Sequence, residues 1–144
     1  MISYDGWDRE YKENRSAYLD IFEGFMSQTN YENNEKFEES FAIRVGREYC
    51  VSVASATDAL HFALLAHNIG QDDEVLVTDF SWISSSAVVS MVGATPVFCD
   101  IDLDSYHMCL ESIKRMYSNK VKAIIYPHLF GNMTDTTEIQ QFCK

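Results

Sequence analysis

The sequence predicts an α/β protein, with a mostly parallel sheet, flanking helices and a helical segment in front. Three observations carry this. From Glu48 onward, short apolar runs alternate with amphipathic stretches of helical period. Runs such as Ala123-Ile-Ile-Tyr126 are short, continuous and rich in β-branched residues, as strands buried on both faces require. A strand-helix-strand series closes through right-handed crossovers, which join parallel strands.

In chain order, residues 1–47 read as an N-terminal helical segment and 48–144 as the α/β part. Tyr11, Tyr18, Leu19, Phe22 and Phe25 recur at spacings that share one helix face. A second helix is predicted over Glu35 to Val45, where Phe37, Phe41 and Val45 repeat every fourth residue. Ser27 to Asn34, rich in turn formers, separates the two. Strands are expected at Tyr49 to Val53, Glu74 to Val77, Pro96 to Cys99 and Val121 to Tyr126. Helices are expected at Thr57 to His67, Ser84 to Val92, Cys109 to Met116 and Thr136 to Phe142. Gly70 and Gly93 fall where helices end, suiting the left-handed cap. Neither an internal repeat nor a linker divides the chain.

With 144 residues, 47% of them hydrophobic and 23% charged, the chain has the composition of a compact domain and not of a disordered tail. The formal net charge is −11 and no Lys/Arg cluster occurs, which argues against a nucleic-acid partner. The N-terminus has neither a basic nor an apolar leader region, and no run of about 18 apolar residues exists. A cytoplasmic protein without a membrane partner is expected. Cys50, Cys99, Cys109 and Cys143 lack any metal-ligand spacing and read as reduced thiols. No metal site is expected.

The stretch VSVASATDALHFALL changes within five residues from strand to helix pattern. Ser55-Ala-Thr-Asp58 reads as a capping box, with Ser55 at the N-cap and its acidic partner three residues on. In an open α/β sheet this corner lies on the rim where strands end and helices begin, and free N–H groups there favour an anion. The amides of Ala56, Thr57 and Asp58 are the candidate phosphate ligands. The Asp58 carboxylate would repel a phosphate unless it folds back onto the Ser55 amide. The next strand leads into Thr78-Asp-Phe-Ser-Trp82, which brings an aromatic face suited to a flat ring onto the same rim. His128, in Tyr126-Pro-His-Leu-Phe-Gly131, is a third rim residue. Read alone, the corner is more simply an ordinary capped helix start and His128 a structural histidine, while Trp82 is equally a residue packed under a loop.

Glu38 to Ala42, the run from Val53 through Asp102, and KAIIYPHLFGN together resemble the sugar aminotransferases of the DegT/DnrJ/StrS type. These are pyridoxal-phosphate (PLP) enzymes of aspartate-aminotransferase fold. The resemblance covers about Phe37 to Lys144 and implies the N-terminal part of the PLP-binding large domain. It implies that Ala56, Thr57 and Asp58 hold the cofactor phosphate and that Trp82 stacks on the pyridine ring. Ala56 stands where the family usually has glycine, and Thr78 where it often has proline. No catalytic residue is assigned in this chain, because the Schiff-base lysine and the pyridine-binding aspartate of the family are expected beyond Lys144. The chain alone is expected to be inactive.

For the parent protein the resemblance implies transfer of an amino group, from a donor such as glutamate, to a nucleotide-linked keto sugar. A dTDP-4-keto-6-deoxyhexose destined for surface polysaccharide (O-antigen) is the expected acceptor, and a homodimer the expected assembly. Two alternatives stand beside this. One is a PLP-dependent sugar dehydratase of the same family, in which His replaces the lysine. The other is an α/β binding domain without catalysis.

Overall fold

The computed structural model describes residues 7–27 and 32–144. Its secondary structure follows the order α1 (Trp7–Ser27), α2 (Glu32–Val45), α3 (Ala56–Ala66), β1 (Glu74–Thr78), α4 (Ser84–Met91), β2 (Thr95–Cys99), α5 (Leu110–Met116), β3 (Val121–Ile125), a 3-10 turn (Leu129–Gly131) and α6 (Thr137–Phe142). The chain divides into two compact units, Met1–Ser52 and Val53–Lys144.

In the first unit, the face predicted for α1 forms, with the Tyr11 and Tyr18 rings stacked at 6.4 Å. That face is not buried: Phe22 and Phe25 are exposed. Helix α2 begins at Glu32, three residues before the expected start, so Glu32 to Asn34 is helix and not turn. Asparagine is tolerated in a first turn, where its side chain competes little with the helix bonds. At the other end Ser27 is the last residue of α1 and not turn, and residues 28–31 lie outside the described residues.

The strand expected at Tyr49 to Val53 is absent. A parallel strand depends on a neighbouring ladder, and none of the described strands pairs with this segment. Tyr49 and Val51 are exposed, and the Ser52 N–H donates instead to Glu38 Oε1 at 2.6 Å.

The second unit is a three-stranded parallel sheet in the order β2-β1-β3. β1 takes the centre, and Val75, Leu76 and Val77 are fully buried. Period-two alternation sorts its side chains between two layers. Val75 and Val77 pack with Leu64, Ile69, Val88 and Val89 under α3 and α4. Leu76 packs with Cys99, Met108 and Ile113 under α5, where Ile139 and Phe142 of α6 join. Burying a side chain of this size stabilises by roughly 1.5–3 kcal/mol, so each layer holds its helices against one face of the sheet.

Helices α3 and α4 end in the same way. The Asn68 and Ile69 amides donate back to Leu65 and Leu64, and those of Gly93 and Ala94 to Ser90 and Val89. The left-handed residue of the second cap is Gly93, as expected, at φ +83°. The first cap corrects the expectation: Asn68, at φ +56°, takes the left-handed position, and Gly70 does not. Asparagine is the usual substitute for glycine there because its short polar side chain tolerates that backbone.

Candidate functional site

The three strands run parallel, so their exit loops leave one edge of the sheet. Helix α3 starts at that edge. Ser55 is its N-cap, extended at φ −156°, and its Oγ accepts from the Asp58 N–H at 3.1 Å. The same hydroxyl donates to Asp58 Oδ2 at 2.9 Å. The carboxylate therefore folds back as expected, but onto the Ser55 hydroxyl and not onto the Ser55 amide. Since the Asp58 amide is engaged by Ser55, Ala56 and Thr57 are the first-turn amides with no acceptor among the described residues.

Thr57 Oγ1 lies 2.8 Å from Ser84 Oγ, the first residue of α4. This hydrogen bond sets two helix starts side by side. Both ends carry the positive pole of a helix dipole, and α3 adds the unpaired N–H groups of Ala56 and Thr57, whereas the Ser85 and Ser86 N–H groups of α4 already donate to the Trp82 and Ile83 carbonyls. The approach to α4 is shaped by Thr78, which stands buried at the end of β1 and accepts from the Phe80 N–H at 3.2 Å. That turn sends the chain into Ser81 and Trp82. Ser81 Oγ lies 2.9 Å from Ser85 Oγ, and the Trp82 carbonyl accepts from the Ser85 N–H at 3.0 Å. The Trp82 ring is 77% exposed, so it is available as a flat apolar face beside the paired helix starts.

Of the residues expected from sequence, the structure places Ala56, Thr57 and Asp58 on the first turn of α3 and Trp82 just ahead of α4. Sequence reasoning missed Ser84, which the Thr57 hydroxyl touches. The signal was present in the run of serines at positions 81 and 84–86 at a strand-to-helix junction.

His128 sits at the exit of β3 in a separate cluster. Its ring is edge-on to Tyr126 at 5.6 Å and to His107 at 5.9 Å. Asp102, in the loop after β2, accepts from the Ser105 and Asp104 amides at 2.8 and 3.2 Å, and these bonds hold its carboxyl below the usual range. Burial pushes the Cys99 thiol up, against the opposing effect of Ser112. All four cysteines are free. Among the described residues no group of three or more His, Cys, Asp or Glu could hold a metal, and no helix is long and apolar enough to cross a membrane.

Comparison with known proteins bears on the chemistry of this rim. Residues 9–144 match the model of the DegT/DnrJ/EryC1/StrS aminotransferase family. The chain belongs to this family. It is 38% identical over 110 residues to GDP-perosamine synthase of Escherichia coli O157:H7, an alignment that covers 76% of this chain and 30% of that protein. The solved structure of S. venezuelae DesV in complex with a ketimine intermediate superposes with a TM-score of 0.88 at 27% identity, over 93% of this chain and 37% of DesV. Spr1654 of Streptococcus pneumoniae, in its PLP form, gives 0.75 at 29% identity, over 78% of this chain and 29% of that one. The PMP form of Spr1654 gives the same TM-score. The chain thus spans about a third of the length of these family members, and the α/β architecture with its parallel sheet is theirs.

Proposed function

We propose that this chain forms the cofactor-phosphate end of the active site of a PLP-dependent sugar aminotransferase, as the N-terminal part of a longer protein. The 2.8 Å contact between Thr57 and Ser84 carries the reading of the site, because it joins two helix starts into one donor-rich corner. Family membership supports the reading of the activity.

The donor set fits a phosphate. The amides of Ala56 and Thr57 are free to donate, the accepting hydroxyl of the Thr57–Ser84 pair keeps its own proton for an anion, and Asp58 closes the turn with its carboxylate held by the Ser55 hydroxyl. Alanine at position 56 does not disturb this, since Ala56 belongs to the helix and needs no left-handed backbone. Trp82 covers the ring of the cofactor. The chemistry that PLP supplies when bound is an electron sink for the carbon bearing the nitrogen. This chain's residues bind and orient it, and the proton-transferring groups belong to the remainder of the protein.

The amino donor in this reading is glutamate, and the acceptor is a keto sugar on a nucleoside diphosphate. A dTDP-4-keto-6-deoxyhexose is the acceptor expected from sequence, and the name of the curated relative adds a GDP-linked sugar as the competing carrier. The protein acts as a cytoplasmic homodimer in the making of surface polysaccharide.

The experiment is cofactor titration of the full-length protein followed by turnover with glutamate and 4-keto-6-deoxyhexoses on dTDP and on GDP. Visible absorbance from bound PLP and formation of 2-oxoglutarate with one of the two sugars are expected. Absence of both overturns the enzymatic reading, and sugar dehydration without consumption of glutamate replaces it with the dehydratase.

A further inference from the structure

His107 is 3% exposed, and its ring has no role in the corner described above. Nε2 lies 2.7 Å from the carbonyl oxygen of Asn132. A carbonyl can only accept, so Nε2 carries the proton and donates. In the neutral imidazole this leaves Nδ1 as a bare lone pair, and that buried atom has no partner among the described residues. An unsatisfied buried nitrogen is unfavourable, and a plain aromatic ring would fill the same space without that penalty. Packing therefore does not account for an imidazole at this position, whereas the Nε2–H bond does.

That bond joins two loops. His107 closes the loop between β2 and α5, and Asn132 lies in the loop after β3. Asn132 answers with its own side chain, Nδ2 donating to the Ser105 carbonyl at 3.2 Å. The His107 ring also stacks on Tyr126 at 5.8 Å, with 12° between the planes. The preceding residue, Tyr106, extends the connection to the third exit loop. It adopts φ +60° and sets its ring 5.8 Å from Phe80, two residues before Trp82. Because the three strands are parallel, these loops share the sheet edge at which α3 and α4 start.

We propose that His107 is a positioning residue: its Nε2–H bond to Asn132, acting together with the reciprocal Asn132 side-chain bond to Ser105, latches the β3 exit loop to the β2 exit loop and, through Tyr106 and Phe80, steadies the segment that carries Trp82. This rests on the reading of the corner as a PLP site, which the wild-type titration tests separately.

The test uses full-length protein with His107→Phe, which keeps a stacking ring and removes the donor, and His107→Gln, whose amide can donate from a similar reach. His107→Phe is expected to weaken PLP retention about fivefold, the worth of one net hydrogen bond, and to alter the visible circular dichroism of bound PLP. His107→Gln is expected to restore both. A Phe variant indistinguishable from wild type overturns the latch, as does a Gln variant as impaired as the Phe variant. Should the Phe variant fail to fold, Asn132→Ala decides, because Asn132 is exposed and the change removes only the reciprocal bond. Faster amide exchange over residues 128–132 with weaker PLP retention supports the latch, and unchanged exchange and retention overturn it. Failure of wild type to bind PLP would instead remove the cofactor reading.

Discussion

The hydroxyls of Thr57 and Ser84, 27 residues apart in sequence, meet at 2.8 Å and pin the first turn of α3 to the first turn of α4. The contact is part-buried, so losing one partner leaves the other imperfectly paired. Thr57→Val, which keeps the branched shape, should destabilise the fold by about 1 kcal/mol and weaken PLP binding in the full-length protein. Ser84→Ala should do the same, and the double variant should cost less than the sum. Strictly additive urea-denaturation energies would show that the two hydroxyls do not act together.

Ser55 illustrates a purely local device. Its Oγ accepts from the Asp58 amide and donates to the Asp58 carboxylate, so one hydroxyl both caps α3 and restrains the charge nearest the corner. Ser55→Ala should destabilise by about 1 kcal/mol, and Ser55→Gly by only a few tenths. Hydrogen exchange should locate the change in the first turn of α3. Stability unchanged in Ser55→Ala would mean that the hydroxyl is not the capping group.

What was legible in the sequence follows this division between local and distant causes. The start of α3 at Ser55, the three strands and the cap at Gly93 depend on residues close in sequence, and period and turn chemistry specify them. The segment Tyr49 to Val53 has the composition of a strand, yet a strand exists only with a paired neighbour, and pairing is not written in the segment itself. The cap at Asn68 was assigned to Gly70 because glycine is the stronger prior, whereas the position of the helix end decided the matter. In the candidate site, Thr57 and Trp82 could be found by their rim positions, but the Thr57 to Ser84 and His107 to Asn132 contacts join distant stretches and required coordinates.

Asp102 gives a pH dependence with a defined sign. Amide hydrogen bonds from Ser105 and Asp104 depress its folded pKa below the unfolded value. Its contribution is therefore complete above the ordinary carboxylate range and is lost as pH falls through the depressed value. Urea midpoints taken from neutrality down to about pH 3 should fall more steeply for wild type than for Asp102→Asn, which has no such proton to bind. Parallel curves would remove Asp102 from the acid limb.

Cys99 and Cys143 should differ in reactivity. The thiolate is the nucleophile, and burial both raises the Cys99 thiol and shields it, while Cys143 is exposed. Brief alkylation of native protein at neutral pH should label Cys143 and spare Cys99, with both labelled in denaturant. Early labelling of Cys99, read by peptide mass, would show that the layer under α5 opens readily.

Trp82 separates binding from folding. A large aromatic that is 77% exposed contributes little apolar burial in this unit, so Trp82→Ala should leave the thermal midpoint nearly unchanged. Its proposed work is stacking on the cofactor ring, worth ~1 kcal/mol, or about a fivefold loss in PLP retention by the full-length protein. Trp82→Phe, which keeps a stacking face, should recover most of the loss. The opposite pattern, a lowered midpoint with unchanged retention, would make Trp82 a packing residue. The cofactor reading would then rest on the paired starts of α3 and α4 and on family membership.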